Sequence, residues 1–241
     1  MLGIVIPAYN EPNIDKSIFE IRKVFPEAYI LVSVDGGCFE TAKLAQNAGA
    51  EVYWEKTNYG KGHAVRKGIL KILETSCDIV MFTDADLACP PEEWNKLVKS
   101  LKTSDVAIAS RKLPGSVVEQ TLSRKIASDA FALYARNITG MRFSDFQCGC
   151  KMFRPDIARR LFEKPLLSNR YCFDVEILYR ARGLKISEVP VKWKAGEKSS
   201  VKLLKDSIEM ALEVIKLAKH YKAERVDLLE LCLESVPGKT C

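Results

Sequence analysis

The chain has 241 residues, of which 47% are hydrophobic, and this length suits one large domain with a sizeable core. A formal net charge of +6 is modest for such a chain, so nucleic acid is not implied as a partner, whereas phosphate-bearing partners are compatible with it. No apolar stretch approaches the roughly 18 to 20 residues of a membrane span, and the apolar start is too short for a secretory signal. We therefore expect a protein that is cytosolic or peripheral to a membrane.

The eight cysteines contain no Cys-x-x-Cys pair and have no histidine partner at zinc spacing. Such cysteines indicate reduced, mostly buried thiols. A structural zinc site is not expected.

The first 110 residues alternate short apolar runs with helical patterns, which is typical of βα units and a parallel sheet. Strands are predicted at residues 3–7, 29–34, 51–55, 78–83 and 105–110. Helices are predicted at residues 13–25, 41–48, 64–74 and 91–101. This order predicts an α/β fold with an open, mostly parallel, doubly wound sheet.

Polar clusters follow the predicted strand ends, at residues 8–11, 35–37, 58–62 and 84–86. Ligands of open α/β sheets bind outside the carboxyl ends of the strands. We therefore expect the four clusters to meet at one edge of the sheet.

The most informative segment is 79–86, Ile-Val-Met-Phe-Thr-Asp-Ala-Asp, which ends a buried-strand pattern with two carboxylates. Asp84 and Asp86 are hard oxygen ligands suited to Mg²⁺ or Mn²⁺, which commonly completes its shell with substrate phosphates. This favours a metal-bridged diphosphate. The alternative is that both residues only cap the turn before the two prolines at 90 and 91.

The glycine-rich segment 60–65 follows the third strand and lacks the third small residue of a dinucleotide-binding turn, so a Rossmann oxidoreductase is disfavoured. A phosphate-binding P-loop is absent from the sequence. Lys61 at a helix start suits contact with an anion. A simple turn with a solvated lysine remains the alternative.

After Arg111 the pattern predicts a helix at 123–139, a strand or turn at 146–153, a helix at 173–182 and a strand at 185–194. Residues 201–221 form an amphipathic pattern that we expect to pack on the core rather than lie on a membrane. The apolar face of that pattern contains Leu204, Ile208, Ala211, Leu212 and Ile215. The expected organisation is one domain over 1–222, with halves at 1–110 and 111–200, a helix at 201–222 and a tail at 223–241.

Several motifs, in this order, resemble the family 2 glycosyltransferases of GT-A fold. They are Val-Ile-Pro-Ala-Tyr-Asn-Glu at 5–11, Asp-Gly at 35–36, Asn-Tyr-Gly-Lys-Gly at 58–62, Asp-Ala-Asp at 84–86 and Ser-Arg at 110–111. The segments at 145–153, 173–176 and 188–193 are similar to the dolichyl-phosphate glucosyltransferase and mannosyltransferase branch. The resemblance covers roughly residues 3 to 220 and implies a C-terminal acceptor-side region.

The resemblance implies roles for individual residues. The residues that would bind the nucleotide sugar are Pro7, Tyr9, Glu11, Asp35, Lys61, Asp84 and Gln147. Asp86, with Asp84, would hold Mg²⁺ or Mn²⁺, Arg111 and Arg124 would bind an acceptor phosphate, and Asp86, Asp174 and Arg111 are the catalytic candidates. Two positions depart from the family pattern. Val34 replaces the first of two paired aspartates, and Ala88 stands where mannosyltransferase relatives often have glutamine.

The reaction implied by the resemblance is an inverting, metal-dependent transfer of a hexose from UDP-glucose or GDP-mannose, with glucose favoured. The expected acceptor is a polyprenyl or dolichyl phosphate, and the expected location is the cytoplasmic face of a membrane. A lipid monophosphate, with a second pKa of about 6, is largely dianionic at neutral pH and needs cations more than a base. A sugar hydroxyl would need a general base, for which Asp174 or Glu176 are candidates.

Three alternatives remain open at this point. The enzyme could transfer to a sugar hydroxyl of a growing glycan. A sugar-1-phosphate nucleotidyltransferase ranks low, because its glycine-rich N-terminal loop is not visible after residues 3–7. The third alternative is a non-catalytic nucleotide-sugar sensor that recruits a membrane partner through residues 201–221.

Overall fold

The computed structural model describes residues 1–37, 39–196 and 203–234, with side chains of the last segment described from 208 to 223. Its strands are β1 (Leu2–Ala8), β2 (Tyr29–Asp35), β3 (Glu51–Glu55), β4 (Ile79–Thr83), β5 (Val106–Ser110), β6 (Val117–Glu119), β7 (Cys150–Phe153), β8 (Ile186–Pro190) and β9 (Lys192–Lys194). Its helices are α1 (Ile14–Val24), α2 (Phe39–Asn47), α3 (Lys61–Ile72), α4 (Trp94–Ser100), α5 (Leu122–Thr139), α6 (Pro155–Phe162), α7 (Phe173–Arg180) and α8 (Leu203–Glu234).

Seven strands form the central sheet in the order β3-β2-β1-β4-β7-β5-β8. β7 runs antiparallel to both β4 and β5, and the other neighbouring strands are parallel. β6 and β9 pair in parallel as a separate small sheet. The prediction of an open, mostly parallel α/β sheet is confirmed.

The sheet has a hydrophobic core on each face, because successive side chains of a strand point to opposite sides. In β1, Val5 belongs to one core cluster and Ile4 and Ile6 to the other, and all three are fully buried. Gly68 lets α3 lie directly on β1, since a Cβ at this position would come within 2.4 Å of Val5 Cγ1. Both faces are therefore covered, which explains why the strands read as continuous apolar runs.

The five strands predicted in the first half are present, and the helices there begin and end within three residues of the prediction. One predicted helix, at 91–101, is divided into a short 3₁₀ turn, Pro91–Glu93, and α4. Strand β6 and helix α6 were not predicted. β6 has only three residues, which is too short for a periodic pattern to be recognised.

The C-terminal helix packs on the core as predicted, through contacts with α5 and α7, but the predicted packing face is wrong for Ile208 and Leu212. The buried residues of α8 are Met210, Val214, Leu217 and Ala218, whereas Ile208 is 64% and Leu212 is 55% exposed. The two sets lie on opposite sides of the helix at 100° per residue, and both are apolar, so periodicity alone could not choose between them. Leu204 lies outside the described side chains. Within the described residues, none of the helices is long and apolar enough to cross a membrane.

Candidate active site

A cavity of about 520 Å³ opens at the carboxyl ends of β1, β2 and β4. Its walls include seven residues proposed from the sequence for nucleotide or metal binding, namely Pro7, Tyr9, Glu11, Asp35, Lys61, Asp84 and Asp86. The expected convergence of the four polar clusters at one sheet edge is therefore confirmed. The shape and the polar lining suit a small charged ligand.

Three carboxylates in the cavity influence one another. Partial desolvation, together with the charges of Asp86 and Asp84, raises the pKa of Glu11. Partial desolvation and the Asp84 charge also raise the pKa of Asp86, whose Oδ1 accepts a hydrogen bond of 3.1 Å from the Ala88 amide. Mutual repulsion of this kind is relieved by a divalent cation, and oxygen donors are what Mg²⁺ and Mn²⁺ prefer. The residues present fit such an ion.

Asp84 is held from two sides. The Lys61 ammonium lies 2.5 Å from Asp84 Oδ1, and the Asp84 amide donates to the carbonyl of Gly149 at 3.2 Å. Gly149 lies directly against the carboxylate, because a Cβ there would be 2.1 Å from Asp84 Oδ2. The loop before β7 therefore supports the back of the Asp84 side chain, and only glycine fits at this point.

Lys151 is a fully buried lysine behind the cavity. Its ammonium donates to the carbonyls of Phe146, at 3.2 Å, and Cys148, at 2.8 Å, and forms a short ion pair with Asp174. Asp174 is itself only 4% exposed. Burial raises the pKa of Asp174, and the charges of Lys151 and Lys61 oppose that rise.

Lys61 lies between two carboxylates. Desolvation alone would lower its pKa, but the charges of Asp84 and Asp174 raise it above the usual range. Opposite charges thus alternate from Lys151 through Asp174 and Lys61 to Asp84. This row holds the Lys61 ammonium in the cavity and keeps it protonated.

Arg111, directly after β5, is bound by a buried carboxylate. Its Nε and Nη2 donate to Asp145 at 2.6 and 2.8 Å, and its backbone amide donates at 3.1 Å. Burial by itself would raise the pKa of Asp145, but Arg111 lowers it to about 2. The guanidinium carbon lies 5.0 Å from the ring centroid of Trp193. Arg111 is therefore a rigidly oriented cation.

Arg124, at the start of α5, is linked to the Asp86 side of the cavity. Its Nη1 donates to the carbonyl of Gly196 at 3.2 Å. Gly196 in turn lies against Asp86, since a Cβ there would come within 2.5 Å of Asp86 Oδ2. The second half of the chain thus brings a cation close to the carboxylates of the first half.

Two residues considered for roles in the reaction lie behind the cavity walls. Gln147 is partly buried and its backbone amide donates to Asp145 Oδ1 at 3.1 Å, so it lies on the loop that holds Arg111. Glu176 is fully buried, and its oxygens accept hydrogen bonds from the backbone amides of residues 167 and 168 and from Arg180 and Tyr221. This carboxylate supports a loop and is not available as a general base.

A second cluster of ligand atoms lies beside the cavity, and only one of its members, Asp35, was predicted from the sequence as a site residue. Ligand atoms of Asp35, Glu55 and His63 lie within 4.8 Å of one another. Asp35 accepts hydrogen bonds from the amides of Tyr59 and Gly60, and Glu55 lies 2.6 Å from His63 Nε2. These contacts brace the loop that precedes α3. The spacing of the three residues in the sequence follows no known ligand pattern.

The lining also includes Arg170 and Tyr171, from the segment between α6 and α7. Neither belongs to a polar cluster at the end of a parallel strand, which was the signal used to find the other residues. No local pattern in the sequence would have identified them.

The raised pKa values of Glu11 and Asp86 predict a pH-dependent affinity for Mn²⁺. Because these carboxyls hold protons up to a higher pH than ordinary carboxyls, protons compete with the metal in mildly acidic solution. We expect weaker Mn²⁺ binding at about pH 5.5 than at about pH 7.5, measured by electron paramagnetic resonance. Glu11→Gln removes one repelling carboxylate and should move the transition to lower pH. An affinity that is unchanged between these pH values would contradict this prediction.

Comparisons with known proteins agree on one family. The family model described as Glycosyl transferase family 2 matches residues 3–162. The undecaprenyl-phosphate mannosyltransferase of Micrococcus luteus is 32% identical over 196 residues, which cover 78% of this chain and 81% of the relative. The dolichyl-phosphate beta-glucosyltransferase of Dictyostelium discoideum is 29% identical over 91% of this chain and 74% of its own length.

A solved structure has the same fold. The glucosyl-3-phosphoglycerate synthase of Mycobacterium tuberculosis, crystallised with Mn²⁺, UDP-glucose and phosphoglyceric acid, superposes with a TM-score of 0.68. The match has 20% sequence identity and covers 92% of this chain and 79% of that one. At this identity the likeness concerns the fold, and the predicted GT-A architecture is confirmed. The family model, the relatives and the fold together establish that this chain belongs to glycosyltransferase family 2.

Proposed function

We propose that this protein is a metal-dependent, inverting glycosyltransferase that moves a hexose from a nucleotide-diphosphate sugar to a polyprenyl or dolichyl phosphate. The observation that carries the proposal is the meeting of carboxylates and cations at one sheet edge, where Arg124 is linked through Gly196 to Asp86. The similarity to an undecaprenyl-phosphate mannosyltransferase and to a dolichyl-phosphate beta-glucosyltransferase supports the acceptor class.

Glucose is favoured over mannose as the transferred sugar. Ala88 stands where mannosyltransferase relatives often have glutamine, and the glucosyltransferase of D. discoideum aligns with 91% of the chain. UDP-glucose is therefore the first donor to test, and GDP-mannose is the second.

On the donor side, Asp86 with Asp84 would hold Mg²⁺ or Mn²⁺, which supplies Lewis-acid stabilisation of the donor diphosphate when bound. The ammonium of Lys61 stabilises the negative charge that develops on the leaving nucleoside diphosphate. Asp174 keeps Lys61 in position, because its own charge is fixed by Lys151. In this account Asp174 orients a cation instead of removing a proton.

On the acceptor side, Arg111 and Arg124 bind the lipid phosphate and direct one of its oxygens at the anomeric carbon. Arg111 is pre-oriented by Asp145, which lowers the entropy lost on binding. A dianionic phosphate attacks without a general base. A single displacement inverts the anomeric centre, so an α-linked donor gives a β-linked product.

A lipid acceptor requires that the protein contact the cytoplasmic surface of a membrane. The exposed side of α5 suits such a peripheral contact. Leu122, Ile126 and Leu133 are 72%, 60% and 59% exposed, and their positions fall within about 40° of one another around the helix axis. Lys125 and Arg136 are exposed along one side of this face and would meet anionic headgroups. Arg124 begins the same helix, so a lipid phosphate at the membrane surface would lie near the cavity.

Changing Ile126 and Leu133 together to Asp should weaken binding to vesicles of phosphatidylcholine and phosphatidylglycerol by about a hundredfold, because each buried aliphatic side chain contributes about 1.5 kcal/mol or more. Vesicle sedimentation measures the effect. Phe19→Asp is the matched control, since Phe19 is 61% exposed on α1. Equal loss of binding in the control and the α5 variant would contradict the assignment of this face.

The function is tested by incubating the protein with dolichyl phosphate and either UDP-glucose or GDP-mannose, with Mn²⁺, with Mg²⁺ and with EDTA. We expect labelled glycolipid from one donor in the presence of metal and none with EDTA. Nucleotide binding without glycolipid would contradict the lipid acceptor. If that result is obtained, transfer of the sugar to an added oligosaccharide would favour a sugar hydroxyl as the acceptor. If no nucleoside diphosphate is released at all, a non-catalytic nucleotide-sugar sensor would be favoured.

A further inference from the structure

The segment 167–171, between α6 and α7, forms a fixed wall of the cavity. The amides of Leu167 and Ser168 donate to Glu176 at 3.1 and 2.8 Å, and Ser168 Oγ donates to Glu213 Oε2 at 2.8 Å. The carbonyl of Asn169 accepts from the His63 amide at 3.2 Å. The backbone of this segment is therefore attached to α7, α8 and α3, and its exposed side chains keep a defined direction.

Arg170 lies on the cavity side of this wall and has no acidic partner among the described residues. It lines the cavity, and a Cβ on Gly60 would be 3.0 Å from Arg170 Cγ, so its stem packs on the residue before Lys61. Within the described part of the chain, its guanidinium makes neither an ion pair nor a hydrogen bond, and it lies 6.0 Å from the Tyr171 ring centroid. Lys61, the other cation of the lining, is already bound to Asp84.

The acidic residues of the cavity lining would repel an anionic ligand, and a further cation would offset this repulsion. Four acidic residues, Glu11, Asp35, Asp84 and Asp86, face a ligand that would itself be a dianion or trianion. A divalent metal, if bound, would compensate part of that charge, and Lys61 is already paired with the Asp84 carboxylate. A guanidinium binds phosphate oxygens with two parallel hydrogen bonds, which is the geometry that a diphosphate offers.

We propose that Arg170 binds the diphosphate of the nucleotide-sugar donor and stabilises the nucleoside diphosphate as it leaves. The inference rests on the proposed function in one respect, that the donor is a nucleotide-diphosphate sugar. Arg170 then acts together with Lys61, the other cation of the cavity lining. It is a catalytic residue in this account, because it contacts the leaving group.

The test compares the affinities of UDP, UMP and uridine, with Mn²⁺ present, by isothermal titration calorimetry; the guanine series replaces them if GDP binds more tightly. Arg170→Met should weaken UDP binding by about tenfold, because the charge-assisted hydrogen bonds between the guanidinium and the diphosphate are lost. Uridine binding should be unchanged, because uridine has no phosphate to form these bonds. Arg170→Lys should fall between the two, since an ammonium cannot form the forked pair. Arg160→Met, an exposed arginine on α6, is the matched control.

If Arg170→Met lowers the affinities for UDP and uridine equally, Arg170 contacts the base or the ribose, and the proposal is overturned. Unchanged UDP affinity would overturn it as well. The unfolding midpoint of each variant is measured alongside and should match the parent protein, because Arg170 is exposed. Normal UDP binding without glycolipid would refute the proposed acceptor while leaving the Arg170 comparison valid, and binding of neither UDP nor GDP would refute both.

Discussion

Asp86→Asn is expected to lower kcat for glycolipid formation by about a thousandfold, which corresponds to about 4 kcal/mol of transition-state stabilisation. The variant removes the carboxylate that would hold the divalent ion on the donor diphosphate. It also removes one of the charges that raise the pKa of Glu11. Mn²⁺ affinity should fall with kcat, because both depend on the same oxygen ligands.

The fold should survive this substitution. Asp86 is exposed at the cavity, and the hydrogen bond from the Ala88 amide to its Oδ1 can be kept by an asparagine oxygen. Equal unfolding midpoints for variant and parent would establish that the loss is chemical. Asp86→Glu is the control that retains the charge and should keep part of the activity. Asp86→Asn with more than a tenth of the parent kcat would contradict this role.

Lys151→Met is expected to destabilise the protein by about 3 to 5 kcal/mol, because it leaves the buried Asp174 without its partner. It also leaves the carbonyls of Phe146 and Cys148 without a donor. The double variant Lys151→Met/Asp174→Asn removes the buried charge as well and should recover part of the stability. Urea denaturation of the parent, the single variants and the double variant measures this coupling.

The decrease in the free energy of unfolding caused by Lys151→Met should depend on pH. The pKa of Asp174 is already raised by burial, and removing Lys151 removes an influence that lowers it. A buried carboxyl with a raised pKa is tolerated while protonated and becomes costly as the pH rises through that pKa. The deficit should therefore be smaller at about pH 5 than at about pH 8. A deficit below about 1 kcal/mol, or one that the double variant does not reduce, would contradict the ion pair as its cause.

The sequence predicted the part of the site that follows from sheet geometry. The polar residues after β1, β2, β3 and β4 had to meet because parallel strands place their carboxyl ends at one edge. Lys151 illustrates what this reasoning misses. It follows a Cys-Gly-Cys segment in a strand, and lysine is rarely buried, so its fully buried position depends on Asp174 arriving from a helix 23 residues later.

Two other features of the structure differ from the sequence-based predictions because they depend on tertiary contacts. α8 carries apolar residues on both sides, and contacts with α5 and α7 decide that Met210 and Val214 face inward. Arg170 lies in a loop between helices, and only the attachments of its neighbours to Glu176, Glu213 and His63 bring it to the cavity. Neither outcome is contained in a local pattern of residues.

Direct attack of a lipid phosphate on the anomeric carbon leaves a glycosyl phosphate whose linkage can be identified by nuclear magnetic resonance. The protein is incubated with UDP-glucose, Mn²⁺ and a detergent-solubilised polyprenyl phosphate, and the lipid fraction is examined for phosphorus coupled to the anomeric proton. We expect a β-linked glucosyl phosphate that is absent with Asp86→Asn. Free glucose with UDP, or an α-linked product, would contradict it.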